Sequence, residues 1–316
     1  VTGGEALELD SGQGNDHLDV TGHTVTIATN TSIISGATTA DITYENLESA
    51  SVFTNAGVQL TVGGSAGYAV VPNPAADEGT ILTDSLAVEY DGFGSGTTIS
   101  IDGDLELTAS DADDNVTVAA GGTVTVAGRA GIATTSPGDA LVLIAGDGDD
   151  TFTIAAGHAW TTIEAQGGAP STSDVANLAG DGTAVAANLS DPSSVTGGGL
   201  GTINLPGIET VNIDAATGDV TANGTTGDDT ITYAPTGANA GTITETGLNT
   251  TINLSNVGDL TIDAASGSDT LVVLGTTAAD TFTVSDTTVL HDSLQAVNTF
   301  TNIAALTVTG GGENDT

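Results

Sequence analysis

The chain has 316 residues, of which 41 are acidic and one, Arg129, is basic, for a formal net charge of −40. A hydrophobic fraction of 38% with 3% aromatics supports a real core of small β-branched and aliphatic side chains and excludes a disordered tail or a large aromatic-centred core. The charge excludes nucleic acid and anionic membrane surfaces, whose phosphates need Lys and Arg; the lack of Cys excludes disulfides and thiolate metal sites; and no apolar stretch reaches the ~20 residues of a membrane helix.

Period-two strands recur along the chain: "TVTIAT" (24–29), "TVTVAG" (123–128), "TFTI" (151–154), "TITY" (230–233), "TINL" (251–254) and "TFTV" (281–284). Each is bounded by Gly, Asn, Asp or Ser, and the pattern predicts an all-β protein. The Ala-rich stretch 174–189 is the best helical candidate, but Gly180 and Gly182 interrupt it, so it is expected to hold at most a short helical turn. The Pro-bearing segments 70–79 and 167–174 read as long loops or insertions. A working division is an N-terminal β repeat region, 1–166, and a C-terminal β region, 167–316, which could equally be one continuous array.

The C-terminal region repeats. "LPGIETVNIDAATGD" (205–219), "LSNVGDLTIDAASGSDT" (254–270) and "FTNIAALTVTGGGENDT" (300–316) share Ile or Val before a strand, a small-residue turn, then Asp. The steps from Ile208 to Val257 and from Val257 to Ile303 are 49 and 46 residues, which predicts a unit of four or five short strands. The expected architecture is a stacked-strand solenoid, a β-helix-like array of degenerate repeats. The alternative is a row of tandem β-sandwich modules, with the repeat as half a sandwich.

Asp clusters in the turns that precede strands. "AGDGDDTFTI" (145–154) places Asp147, Asp149 and Asp150 in four positions and then enters a strand, and comparable turns end at Asp16, Asp114, Asp229, Asp269, Asp280 and Asp315. A single such Asp is explained by its side chain bonding the backbone two residues on. Recurrence with Gly or another small residue two to five positions upstream points further, because a freed backbone can bend its carbonyls inward beside the carboxylates. That makes an oxygen cage of the kind Ca²⁺ prefers. Asp outnumbers Glu by 30 to 11 and gathers at turns, which a general halophilic coat of carboxylates does not require.

"SGQGNDHLD" (11–19) and "AGDGDDTFT" (145–153) resemble the Gly- and Asp-rich nonapeptide of RTX proteins, and "GGAPSTSDVANL" (167–178) leading into "LPGIETVNI" (205–213) is similar to segments of RTX-bearing surface-layer and adhesin proteins. The resemblance implies secretion, calcium held in the turns between stacked strands, and a structural or adhesive role outside the cell. The chain departs from the family in never placing nonapeptides in tandem. Glu313 stands where the fourth Gly of "GGGENDT" belongs, and "AASGSDT" (264–270) replaces both leading glycines by Ala.

Other patterns carry less. "GGSAG" (63–67) satisfies G-x-S-x-G but lacks the following helix of a nucleophile elbow. "DADDN" (111–115) begins like an EF-hand loop and reads as another Asp turn. Trp160 reads as a core or cap residue, and the four histidines, His17, His23, His158 and His291, as solvated.

The chain lacks Met and a signal-peptide pattern and is expected to be a mature or excised part of a longer polypeptide. The sequence therefore predicts an extracellular or cell-surface, calcium-stabilised structural protein of a surface layer, filament or similar assembly, not an enzyme. Self-association head to tail or laterally is expected. The alternative is an adhesin or binding module that grips glycan or ice through a Thr-rich face.

Overall fold

The computed structural model describes residues 98–134, 140–169 and 173–316 and, ahead of residue 98, only 7–10, 17–21, 24–28, 33–35, 42–45, 49–53, 59–63, 67–72, 78–83 and 87–91. There is no helix among them, and parallel stacked strands form a β-solenoid of about six turns. Two compact units divide the chain, 1–148 with 159–164, and 149–158 with 165–316.

In the first unit β1 (Leu7–Asp10) and β2 (His17–Thr21) lie in different sheets. The chain then spends three strands in the sheet of β1: β3 (Thr24–Ala28), β4 (Ile33–Ser35) and β5 (Ile42–Glu45). Both steps within this triplet are antiparallel, and β5 pairs in parallel with β1. Single strands follow, β6 (Ser49–Phe53) on β2 and β7 (Gln59–Gly63) on β3. The next triplet, β8 (Gly67–Pro72), β9 (Gly79–Leu82) and β10 (Ala87–Asp91), lies in the second sheet and lands β10 on β6. Next, β11 (Thr98–Ile101) adds to β7 and β12 (Asp104–Thr108) to β8. A first-sheet triplet, β13 (Asn115–Val118), β14 (Val124–Val126) and β15 (Gly131–Thr134), brings β15 onto β11, and β16 (Ala140–Ile144) adds to β12.

The second unit repeats the scheme. After β17 (Thr151–Ala155) and β19 (Val175–Ala179), with β18 (Thr162–Gln166) divided between the first unit and the second, a second-sheet triplet runs β20 (Val185–Asn188), β21 (Ser193–Gly197) and β22 (Thr202–Leu205). Then come β23 (Thr210–Asp214) on β19 and β24 (Val220–Asn223) on β20. The first-sheet triplet is β25 (Thr230–Gly237), β26 (Ala240–Glu245) and β27 (Thr251–Ser255), with β27 landing on β23. Finally β28 (Leu260–Asp263) adds to β24 and β29 (Thr270–Leu274) to β25, followed by β30 (Phe282–Val284), β31 (Val289–His291), β32 (Thr299–Thr301) on β28, and β33 (Ala305–Thr309) on β29.

The repeat is thus two single strands and a triplet, and triplets alternate between the sheets. In each triplet the first strand lies beyond two open levels, the second returns antiparallel through one of them, and the third fills the other against the preceding repeat. The 49- and 46-residue steps are the distances between the residues leading into β23, β28 and β33, so each repeat has the expected five strands. One shorter level interrupts the rhythm: β17 and β19 pair 24 residues apart at Thr151 and Val175, whereas the next levels pair 35 and 41 apart. Parallel stacking at these registers rules out β-sandwich modules, which are antiparallel.

Alternation decides which side chains enter the core. Strands such as β16, β18 and β23 alternate half-buried and buried positions, so every second residue packs between the sheets. Register turns this into ladders: Phe152, Ala176, Val211 and Ile252 stack at equivalent positions, as do Ile154, Leu178, Ile213 and Leu254. In the first unit Tyr68, Leu105 and Leu141 form one such row and Val70, Leu107 and Leu143 another. Each fully buried Ile, Leu or Phe contributes about 1.5–3 kcal/mol.

The stretch 174–189, the best helical candidate but one expected to hold at most a short helical turn, forms β19 and β20 around the bend at Gly180–Gly182. Its Val, Leu and Ala alternate with polar residues, and pairing on both sides overrides the helix propensity of Ala. Trp160 is buried, and its indole N–H donates to the Gly122 carbonyl at 3.3 Å. "GGSAG" falls between two strands, β7 and β8, with residues 64–66 outside the described set.

Candidate functional site

Where a turn delivers the chain into β17, β25 or β30, the residue before the strand has a backbone N–H that no neighbouring strand reaches. Buried N–H groups need an acceptor. Here the carboxylate of the next level supplies it: Asp150 N–H donates to Asp174 Oδ1 at 2.8 Å, Asp229 N–H to Asp269 Oδ1 at 2.8 Å, and Asp280 N–H to Asp315 Oδ1 at 3.0 Å. Asp174 N–H in turn donates to Glu209 Oε2 at 2.9 Å. The ladder continues through carbonyls, with Val175 N–H on the Asp150 carbonyl and Thr270 N–H on the Asp229 carbonyl, each at 2.8 Å. The Asp turns are therefore columns that clip successive levels together.

Several of these carboxylates also close their own turn. Asp114 Oδ2 accepts the N–H and hydroxyl of Ser110, both at 2.7 Å. Asp229 accepts the N–H and hydroxyl of Thr225, both at 2.8 Å, and Asp280 Oδ2 accepts the Thr276 N–H at 2.6 Å. The upstream glycine has a steric role beyond freeing carbonyls. A Cβ at Gly167 would lie 2.5 Å from Asp174 Oδ2, and one at Gly275 would lie 2.5 Å from Asp280 Oδ2, so the carboxylate folds back over bare backbone.

The residues singled out from the sequence are thus distributed over separate columns. Asp149 and Asp150 join the column of Asp174, Asp229 pairs with Asp269, and Asp280 with Asp315. Asp149 accepts the Ser173 hydroxyl. Asp114 and Asp147 belong to the first unit, Asp147 being exposed. Asp16 lies outside the described residues. Among the described residues no group of three or more His, Asp or Glu is arranged to hold a metal ion.

Two residues missed in the sequence complete the most unusual column, Asp174 and Glu209. Asp174 is fully buried and its Oδ2 has no hydrogen-bond partner. Burial pushes its carboxyl above the ordinary value of 3.8, the Asp150 N–H opposes this, and the nearby charges of Glu209 and Asp149 raise it further. Asp269, also fully buried, likewise has an unpartnered Oδ2. The signal for Asp174 was present but stretched: Gly167 stands seven residues ahead, where Gly224 and Gly275 stand five ahead of Asp229 and Asp280. Glu209 follows no glycine turn of this kind, and only the stacking reveals it.

His291 departs from the solvated state expected of the histidines. The β30–β31 hairpin buries its ring, with Nε2 2.9 Å from Asp280 Oδ1, Nδ1 3.0 Å from Asp292 Oδ1, and Phe282 edge-on at 5.0 Å. The Thr276 N–H is the main influence holding the Asp280 carboxyl below its ordinary value, and His291 adds to it.

The fold places the chain among β-solenoid proteins. Comparison with protein-family models and with curated proteins finds no match.

Proposed function

We propose that the chain is an extracellular, calcium-stabilised structural protein of a surface layer, filament or other cell-surface assembly, in keeping with its resemblance to RTX-bearing surface proteins. The observation that carries this reading is the column of Asp149, Asp174 and Glu209. A fully buried carboxylate with an unpartnered oxygen sits among like charges in a chain with a single basic side chain. Such a group requires a proton or a cation, and an all-oxygen environment suits a hard divalent ion. The unpartnered Oδ2 of Asp174 would hold it together with turn carbonyls, water completing the shell, while the charges of Glu209 and Asp149 would strengthen the attraction; Asp269 offers a second unpartnered oxygen. No catalytic role belongs to this reading.

Thermal melting with chelator and then with millimolar Ca²⁺ tests it. The expected result is a marked fall on chelation and recovery with Ca²⁺, because an ion bound only by the folded state stabilises it by mass action. Melting indifferent to chelator but rising with any monovalent salt would instead mean a halophilic coat.

A second reading, a glycan- or ice-binding module, has its own support. In the second unit the outward positions of the first sheet form rows of Thr and Asn. Asn212 donates to Asn177 and Asn253 to Asn212, each at 2.9 Å, while the Thr242 hydroxyl donates to Asn253 at 3.0 Å. A glycan panel and an ice-recrystallisation assay check this face, and silence in both removes it.

A further inference from the structure

In the second unit the ends of two second-sheet strands meet two turns that enter the first sheet. β21 and β22 pair with Ser193 opposite Leu205. The chain then bends through residues 206–209 into β23, while residues 246–250 join β26 to β27. These two turns are fastened to each other: the Thr250 hydroxyl donates to the Ile208 carbonyl and the Thr251 N–H to the Glu209 carbonyl, each at 2.8 Å. Between them and the segment ahead of β21 is a cavity of about 120 Å³, whose lining includes Asp191, Ser193, Leu205, Glu209, Leu248 and Asn249.

The polar groups of this lining are unevenly matched. Ser193 is 3% exposed, and its Oγ is buried with no hydrogen-bond partner. Buried and half-buried positions alternate along β21, so Ser193 points to the same side as Val195, where an unpaired hydroxyl is costly. Glu209 spends Oε2 on the Asp174 N–H at 2.9 Å, which leaves Oε1 for another donor. Asp191 is exposed at the rim. Two carboxylates accept and do not donate, so acceptors outnumber donors around the cavity. The chain itself supplies no cation for them: it has no Lys, and Arg129, its single basic side chain, belongs to the first unit.

A ligand that fits therefore brings N–H or O–H donors, positive charge and a short apolar stem. A bare metal ion brings charge without donors, and among the described residues no three His, Asp or Glu are arranged to hold one. A neutral alcohol brings one donor and no charge. A primary ammonium has three N–H donors, one each for Asp191, Glu209 and the Ser193 hydroxyl, and its methylenes suit Leu205 and Leu248. The volume matches about four waters at ~30 Å³ each and falls below the ~300–1,000 Å³ of a pocket for a drug-sized molecule. It admits an ammonium with a few methylenes and excludes a nucleotide.

We infer that this cavity binds a primary ammonium on an aliphatic stem, carried by a free alkylamine or by a Lys side chain of another protein. Asp191 and Glu209 neutralise the charge, Ser193 takes the third N–H, and Leu205 and Leu248 hold the stem. Because the two turns are already clipped together, little ordering is left to be done on binding. The inference goes beyond the structural role proposed above and does not depend on calcium.

The test is a titration of the whole chain with n-butylammonium at neutral pH, fixed Ca²⁺ and fixed ionic strength, followed by backbone amide shifts. Saturable shifts confined to Ser193, Glu209, Leu248, Asn249 and their neighbours are expected. Butyltrimethylammonium, which carries the charge without N–H donors, should bind about tenfold more weakly or worse. Ser193→Ala should weaken n-butylammonium about fivefold without lowering the melting temperature, because it deletes a hydroxyl that has no partner. Glu209→Gln keeps an acceptor for the Asp174 N–H and should weaken the amine about tenfold or more. Two further probes separate the sources: tighter binding of Lys blocked at both ends assigns the cavity to a partner's side chain, and tighter binding of cadaverine assigns it to a free amine. No saturable shift, equal binding of the trimethyl ion, or an affinity unchanged in both variants overturns the inference and leaves the cavity to water. Failure here with calcium-dependent melting intact sinks only this inference. Amine binding without calcium-dependent melting sinks only the calcium reading.

Discussion

Turns that enter the first-sheet strands and turns that leave strands meet the same difficulty with different chemistry. At entry, carboxylate follows carboxylate: Asp149, Asp174 and Glu209 crowd one column, and Asp174 is pushed up by burial and by its neighbours. At exit, carboxylate meets amide: Asn256 donates to Asp214 Oδ1 at 2.9 Å and Asn302 to Asp263 Oδ1 at 2.7 Å. The Asn302 amide, then the Ala265 N–H, hold Asp263 below its ordinary value. The backbone at Asn256 and Asn302 is left-handed, with φ of 50° and 60°, a conformation Asn tolerates well. On the calcium reading, an acidic turn calls for an outside cation only where the next level supplies no amide.

The largest effect in this comparison belongs to Asp174. Asp174→Ala leaves the Asp150 N–H without its acceptor and is expected to cost about 2–3 kcal/mol in chemical denaturation. Asp174→Asn keeps that acceptor oxygen and removes a like charge. In chelator it should melt no lower than the parent, and Ca²⁺ should no longer raise its melting temperature. If Asn proves as damaging as Ala, the entry column is not limited by charge and the contrast collapses.

Next in size is Asn302→Asp, which converts an exit column to the entry kind while keeping a residue that accepts positive φ. It replaces a donor 2.7 Å from Asp263 Oδ1 by a like charge, and about 1–2 kcal/mol of stability should be lost at neutral pH. Acidification should restore it, because one carboxyl of the new pair then protonates and donates. A variant equally weak at pH 4 and pH 7 would show that packing, not charge, governs the exit turn.

The smallest effect is the pH profile in chelator. Asp174 holds its proton to higher pH when folded than when unfolded, so its cost is full above the folded value and vanishes as pH falls to 3.8. Asp263 behaves oppositely: its contribution is full above 3.8 and is lost as pH falls through the depressed folded value. Relative to the parent, Asp174→Asn should flatten the gain in melting temperature on mild acidification, and Asn302→Ala the loss at lower pH. Superimposable profiles for the two variants would erase the distinction.

Much of this was legible in the residues. Alternation located the strands, because burial of every second side chain leaves a period-two trace, and the Ile208, Val257 and Ile303 spacing exposed the five-strand unit. Direction left no such trace. β26 reads "AGTITE" and β27 "TINLS", alike in pattern but opposite in sense, because turn geometry and not side-chain period sets which way a strand runs. Asp turns were visible as a class, yet sequence could not tell that Asp269 caps Asp229 forty residues earlier. Nor could it show His291 buried against Asp280, a contact made only when a hairpin folds back over eleven residues.

The triplets have a mechanical consequence. Because the third strand of each is threaded between the returning strand and the preceding repeat, a chain pulled from its end cannot peel one coil at a time. Freeing β27 means breaking its pairing with both β23 and β26, on which β25 and then β29 are built. Under tension the array should yield in steps of a whole repeat. A 49-residue repeat releases about 160–175 Å of extended chain at once, a tooth in the force trace far longer than the loss of any single strand.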